Sequence, residues 1–296
     1  METWDRVGPV VVSVGGKSGS NTAVDWAADL AATTHRALVV AHVVVPPIVR
    51  LRASDLLEEE QRVAETGRTR VAEATARALE RHPGLEVTSS ITVGDALPLL
   101  LEQAQGAAVL VSGSRRGGER RSSGGSVSLA LTRHAPCPVV VARAQADHGP
   151  LAQRVVLGVD GTAASRSAAA FAFGYAAMHG LHVVALHGSW ERLARGSSVL
   201  SLLSASDEHG PTAEEELTIS ETVAGLPERY PDVEFRDDHR STDPAEALVE
   251  ASQTAQLVVV GSRGLGAVAS FLLRSVSTSV VEHAHCPVAV VRASGS

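Results

Sequence analysis

The stretch Leu257–Arg292, LVVVGSRGLGAVASFLLRSVSTSVVEHAHCPVAVVR, contains an apolar run (Leu257 to Val260) followed by a glycine-rich turn (Gly261, Gly264, Gly266). A segment with helical character begins at Ser275, and a second apolar run, Val288 to Val291, is introduced by Pro287. This reads as strand, glycine turn, helix, strand. A strand that ends on glycines and hands over to a helix start brings bare backbone N–H groups and the positive end of a helix dipole to one spot. That arrangement favours a phosphate.

The same stretch occurs twice. AVLVSGSRRGGERRSSGGSVSLALTRHAPCPVVVAR (Ala108 to Arg143) lies over it, with Cys137 matched to Cys286. Near the N-terminus, Pro9 to Ala31 lies over Arg154 to Ala176, with Ser20 matched to Ser165. The chain is therefore expected to fold as two homologous domains, 1–147 and 148–296, meeting at the polar, Gly-Pro-containing segment AQADHGPLAQ (Ala144 to Gln153).

Each half alternates apolar runs with amphipathic segments. In the first, strands are expected at Val10–Val14, Ala37–Val45, Glu86–Val93, Ala108–Ser112 and Val139–Val141, and helices at Thr22–Thr34, Asp55–Arg81, Leu97–Gln105 and after the glycine turn. The second repeats the pattern with strands at Val155–Val159, His182–His187, Val233–His239, Leu257–Val260 and Val288–Val291. Its helices fall at Ser165–His179, around Ala213–Leu226, and at Pro244–Thr254. Continuously apolar, β-branched strands alternating with helices belong to parallel sheets buried on both faces. The expected fold class is α/β, with two tandem doubly wound domains, each an open five-stranded parallel sheet flanked by helices in a Rossmann-like, nucleotide-binding arrangement. Ligands of such sheets sit at the carboxyl ends of the strands where strand order reverses, and the turns after Val159 and Val260 both lie at that edge.

Composition narrows the function. With 296 residues, 44% hydrophobic and 20% charged, the chain is that of an ordinary globular protein of two domains. A formal net charge of -7 argues against nucleic acid or an anionic membrane as the main partner, and aromatic residues at 3% offer few stacking platforms for single strands. No apolar run approaches a membrane span, and the N-terminus lacks the pattern of a signal peptide, so a cytoplasmic location is expected. The two cysteines, each followed by a proline and an apolar run, read as buried strand starts in a reducing compartment.

With these residues laid out, the chain resembles the universal stress protein family in its tandem two-domain form. The resemblance is carried by V-D-G-T-A-A-S (Val159 to Ser165), V-V-V-G-S-R-G-L-G (Val258 to Gly266) and H-A-x-C-P-V-x-V-V (His283 to Val291). It implies a stress-response protein that binds ATP or a related adenine nucleotide, with or without Mg2+, acting as a regulatory module without fast turnover. Phosphates would be held by Gly261, Gly264 and Ser275, with Arg274 standing where the family has a further glycine. Asp160 and Gly161, at the end of the first strand, would serve the nucleoside end, and Gly188, beside the histidine that closes the second strand, neighbours the adenine position. The first half is the weaker copy. Gly113, Gly125, Ser126 and Val43 match, but Gly15 replaces the acid and Arg116 replaces a glycine. Its loop carries Arg115, Arg116, Arg120 and Arg121, a basic lid or a solvated surface loop. The family's pairing mode implies an internal pseudo-dimer through the last strands, and a further homodimer stays open.

The residues themselves leave alternatives. Gly261 and Gly264 suit a tight turn needing φ > 0 whatever it binds, Ser275 and Ser126 suit helix N-caps, and Asp160 suits a turn cap. The alternatives in function are a slow ATPase or adenylate-transferring enzyme at the same pocket, and a scaffold with no nucleotide bound. Gly16, Lys17 and Ser18 are not a Walker A loop, because Val11 stands where its first glycine belongs. His134 with Cys137, and His283 and His285 with Cys286, are too few in each half for a metal site.

Overall fold

A computed structural model describes residues 4, 6–15, 19–45, 53–114, 127–144, 153–188, 211–262 and 275–293, the side chains of 53–60 excepted. The chain divides into two compact units, Arg6–Ala144 and Gln145–Ser296, and Trp4 goes with the second.

The first unit runs β1 (Val10–Ser13), α1 (Ser20–Thr33), β2 (Leu38–Val44), α2 (Ala53–Arg81), β3 (Val87–Val93), α3 (Ala96–Gln105), β4 (Val109–Gly113), α4 (Val127–His134) and β5 (Val139–Ala142). Its strands lie in the order β3-β2-β1-β4-β5, all parallel, with Val10 opposite both Leu38 and Val109. The second unit runs β6 (Arg154–Gly158), α5 (Ala163–His179), β7 (His182–Gly188), α6 (Ala213–Val223), α7 (Leu226–Arg229), β8 (Phe235–Arg240), α8 (Pro244–Ala251), β9 (Leu257–Gly261), α9 (Val276–His283) and β10 (Val288–Val291). Its order, β8-β7-β6-β9-β10, is again parallel throughout. The doubly wound α/β expectation is borne out in each half. Strand order reverses between β1 and β4 and between β6 and β9, which opens a crevice at the carboxyl ends of those strands.

Composition follows position in the sheet. The inner strands β1, β4, β6 and β9 are buried valine and leucine runs, covered on both faces. β3 and β8 lie at the other extreme, VTSSITV half exposed and FRDDHR almost wholly charged. Charges along an edge oppose pairing with another chain.

In the second unit α5 packs on β9, burying Phe171 and Phe173 completely. Trp4 stacks on Phe171 with ring centroids 4.5 Å apart, and its Nε1 donates to the Phe171 carbonyl at 3.0 Å. Its indole lies against Gly174, where a Cβ would meet Cδ1 at 2.4 Å, so this mid-helix glycine is what lets the ring approach. The expected division placed this end of the chain with the first half. In the first unit α1 and α2 are joined by two bidentate pairs, Arg77 with Asp25 (2.6 Å and 2.6 Å) and Arg81 with Asp29 (2.5 Å and 2.8 Å), and His82 adds a bond to Asp29 at 2.8 Å.

The expected helix around Ala213–Leu226 is in fact two. α6 ends at Val223, Gly225 turns the chain at φ 77°, and the short α7 follows. Cys137 and Cys286 are both buried thiols, and burial pushes the Cys137 thiol up to about 11. His134 and His283 each occupy the last turn of a helix, and His283 Nδ1 is bonded to the Ser279 carbonyl.

Candidate functional site

At the strand-order reversal of the second unit lies a cavity of about 230 Å³. It brings together Asp160 from the β6 end, His187 and Gly188 from the β7 end, Gly261 from the β9 end, and Ser275 and Ser277 from the start of α9. Four residues singled out in the sequence, Asp160, Gly188, Gly261 and Ser275, thus share one lining. Gly161 lies next to it, and Gly264 and Arg274 fall outside the described residues. The walls are apolar on the side of β7 and α8, with Leu186, Pro244, Leu248 and Val260. Hydroxyls and helix-start amides collect on the side of β9 and α9.

Each position has a local cause. Asp160 Oδ1 accepts from the Thr162 amide (3.0 Å) and hydroxyl (2.6 Å), an Asx turn that starts α5. Gly161 between them sits at φ 74°, which an L side chain resists. Thr162 then caps α5, its Oγ1 accepting from the Ser165 amide at 3.2 Å. The carboxylate is exposed and fixed by one oxygen, which leaves Oδ2 for a ligand. Ser275 occupies the N-cap position of α9 but does not cap. Its Oγ pairs with Ser277 Oγ at 2.9 Å and makes no capping bond to the helix. The alternative reading of Ser275 as a helix N-cap is therefore not met by its side chain.

Gly261 is corrected too. It does not adopt a left-handed φ. A Cβ there would meet the Ala164 carbonyl carbon at 2.8 Å and the Ser165 nitrogen at 2.9 Å, because the start of α5 rests directly on the strand end. Gly188 is equally confined, its absent Cβ lying 2.7 Å from Pro244 Cα, at the start of α8.

The first unit repeats the framework with different contents. Gly113 is pressed by Gly19, whose carbonyl oxygen would lie 2.5 Å from a Cβ. Gly15 takes the acid's place, its amide donating to Ser20 Oγ at 3.4 Å. In place of a hydroxyl pair at the helix start, Ser128 on α4 bonds to Ser112 Oγ (2.8 Å) and to the Gly113 carbonyl (3.0 Å). A groove of about 680 Å³ opens between α1 and α2, where Arg62 and Arg70 are balanced by Glu65 and Glu73. Val43 and Gly113 are not in its lining. Gly125, Ser126 and the arginine-rich loop fall outside the described residues.

The sequence model of the Universal stress protein family matches twice, over residues 7–143 and 152–292. The chain belongs to the universal stress protein family. A universal stress protein of Mycobacterium tuberculosis is 36% identical over 96% of this chain and 97% of its own length, and one from Mycolicibacterium smegmatis is 34% identical over 96% of each. A crystal structure of a universal stress protein from Archaeoglobus fulgidus shares the fold, with a TM-score of 0.71 at 18% identity and 97% of each chain covered. Within this universal stress protein fold, the described residues include no helix long and apolar enough to cross a membrane.

Sequence reasoning missed part of the lining. Pro244 and Leu248 belong to the helix expected at Pro244–Thr254, which was given no part in the site, and His187 entered only as the neighbour of Gly188 at the adenine position. The repeat held a signal for the last, since His42 and His187 occupy matching places.

Proposed function

We propose that the second half of this universal stress protein binds an adenine nucleotide, ATP or a close relative, and works as a stress-response binding module without fast turnover. The observation that carries this reading is the single cavity into which Asp160, Gly188, Gly261 and Ser275 converge. Its two sides suit the two ends of a nucleotide. The apolar wall takes a flat base, Asp160 Oδ2 takes ribose hydroxyls, and the positive end of the α9 dipole with the Ser275 and Ser277 hydroxyls takes phosphate. At about 230 Å³ the described cavity is nucleoside-sized, just under the roughly 300–1,000 Å³ of most small-molecule sites, so the phosphates lead outward past Gly261. Gly264 and Arg274, outside the described residues, are proposed as phosphate contacts on the strength of the family motif alone. Mg2+ would arrive on the phosphates, since Asp160 is the one carboxylate in the described lining. The first half, with Gly15 in place of the acid, is the weaker site.

The lining supports binding over turnover. Its two described titratable side chains are each engaged in holding the fold, Asp160 in the turn that starts α5 and His187 on the Val159 carbonyl.

Calorimetric titration of the full chain with ATP tests the reading. Saturable binding is expected, weakened about tenfold in Asp160→Asn, which keeps the turn's acceptor oxygen but loses the charge that strengthens a ribose hydrogen bond. Absence of binding at millimolar ATP would sink it. ADP accumulating in proportion to protein would replace the binding module with a hydrolase.

A further inference from the structure

The edge strands β8 and β3 hold the same place in their units and have opposite characters. On β8 the charges are tied up locally, Arg236 with Glu234 at 2.6 Å, His239 with Asp237 at 3.2 Å, and Arg240 with Asp238 and Glu250 at 3.1 Å each. β3 reads VTSSITV, without a charge or a proline. Free edges are ordinarily guarded by charge, by proline or by a bulge that twists them away. The register of β3 with β2 runs unbroken from Val87 to Val93, so no bulge guards it either. Exposed apolar side chains gather at the same edge: Ile91 (41%) and Val93 (67%) on β3, Val45 just beyond β2, and Leu79 on the helix α2 that packs on both strands.

The backbone fixes which groups this edge offers. The Glu86 carbonyl accepts from the Leu38 amide at 2.8 Å, and the Gly94 amide donates to the Val44 carbonyl at 3.0 Å, so the even-numbered residues of this stretch face β2. Successive residues of a strand turn their N–H and C=O groups to opposite sides. Val87, Ser89, Ile91 and Val93 therefore point theirs outward, where no strand among the described residues takes them.

We infer that this edge is an interface between two copies of the chain, with β3 pairing antiparallel to β3 of the second copy about a two-fold axis through Ser90. Such pairing sets outward residue against outward residue, which requires the axis to pass through a residue, and Ser90 is the one that engages the whole strand. Val87 then lies opposite Val93 and Ser89 opposite Ile91, so every outward group of the strand finds a partner, while Thr88 lies opposite Thr92 and Ser90 opposite its own copy. These are β-branched and hydroxyl pairs of the kind that stabilise a sheet, and no like charges meet. The same operation fails on β8. Its Glu234 carbonyl accepts from the Val183 amide at 2.8 Å, so the odd-numbered residues face outward, and a central axis through Asp237 or through Asp238 sets an aspartate against its own copy. A second copy fits β3 because the strand is self-complementary, and the pairing closes at two copies because it consumes the edge.

The test weighs the full chain in solution. Sedimentation velocity at up to about 100 μM, above the micromolar dissociation constants of weak interfaces, is expected to show twice the mass of the chain. Ser89→Pro removes an outward N–H that the ladder to β2 does not use, so it is expected to keep the far-UV circular dichroism of the wild type while weakening the dimer about tenfold or more. Ser90→Cys reports the register. A cysteine on the axis faces its own copy across a Cβ separation of about 4.5–5.5 Å and is expected to cross-link on mild oxidation, whereas Thr88→Cys, on the same face but away from the axis, is not. The native Cys137 and Cys286 are buried and stay out of that reaction. A wild type that remains monomeric, or one that forms a ladder of higher oligomers, overturns the inference. A dimer that survives Ser89→Pro unchanged, or in which Ser90→Cys cross-links no better than Thr88→Cys, overturns it as well, by placing the contact elsewhere. If Ser89→Pro does not fold, Ile91→Lys takes its place, with dissociation expected and an unchanged dimer counting against the interface.

Discussion

Gly261 illustrates how a motif residue can be required for two reasons at once. The repeat places Gly113 and Gly261 at matching strand ends, and both are pressed by backbone from the start of the first helix of their unit, Gly19 before α1 in one and Ala164 with Ser165 of α5 in the other. A methyl group added at either position has no flexible side chain to displace. Gly261→Ala is expected to cost about 1–3 kcal/mol by overpacking and to lower the thermal midpoint by several degrees, with or without ligand. A midpoint equal to the wild type would show that the glycine serves phosphate approach alone. Gly15 is the opposite case, for a Cβ there meets no described atom within 4 Å. The sequence alone shows Gly15 and Gly261 as equally loop-like glycines. What separates them is the distance to a helix start far along the chain, which no local pattern encodes.

At the scale of elements the sequence was far more legible. Runs such as Val10–Val12 and Leu257–Val260 need two covered faces, which dictates an inner parallel strand, and the copy of each run in the other half doubles the signal. Element ends were less legible. Gly225 stops α6 by its left-handed conformation, although the apolar pattern continues into Leu226. The α1–α2 seam was not foreseen, because Asp25, Asp29, Arg77 and Arg81 lie on helices whose relative rotation is set by the sheet beneath them. It carries a pH dependence. Burial raises the Asp29 carboxyl, but hydrogen bonds and charge from Arg81 and His82 outweigh it and hold the group below its usual value. A depressed carboxylate contributes stability above the unfolded pKa, roughly 4, and loses it as pH falls through the lower folded value. The difference in urea midpoint between the wild type and Asp29→Asn is therefore expected to be constant from about pH 7 to pH 5 and to shrink below about pH 4. A gap unchanged down to pH 3 would mean that the carboxylate charge contributes nothing. The seam is partly exposed, so the effect is modest and weakens with salt.

For the molecule as a whole, Trp4 on α5 joins residues 167 positions apart. Glycine inside a helix costs about 1 kcal/mol relative to alanine, and at Gly174 that cost is offset by the indole it admits. A double-mutant cycle makes this quantitative. Gly174→Ala is expected to destabilise the wild type, because the new methyl would stand 2.4 Å from the ring, yet to stabilise a Trp4→Ala background by about 1 kcal/mol, the helix propensity regained. The same sign in both backgrounds, read from thermal or urea unfolding, would show that Trp4 and Gly174 are uncoupled. The contact also has a consequence for biosynthesis. Trp4 leaves the ribosome before the whole first unit, but the carbonyl that receives its indole lies 167 positions later. Because domains fold in order as they emerge, the first unit can complete its sheet while this tryptophan still lacks its berth. Docking of Trp4 is then a late event of translation, and release of a chain broken off before α5 would leave an aromatic side chain in water as a mark of incomplete synthesis.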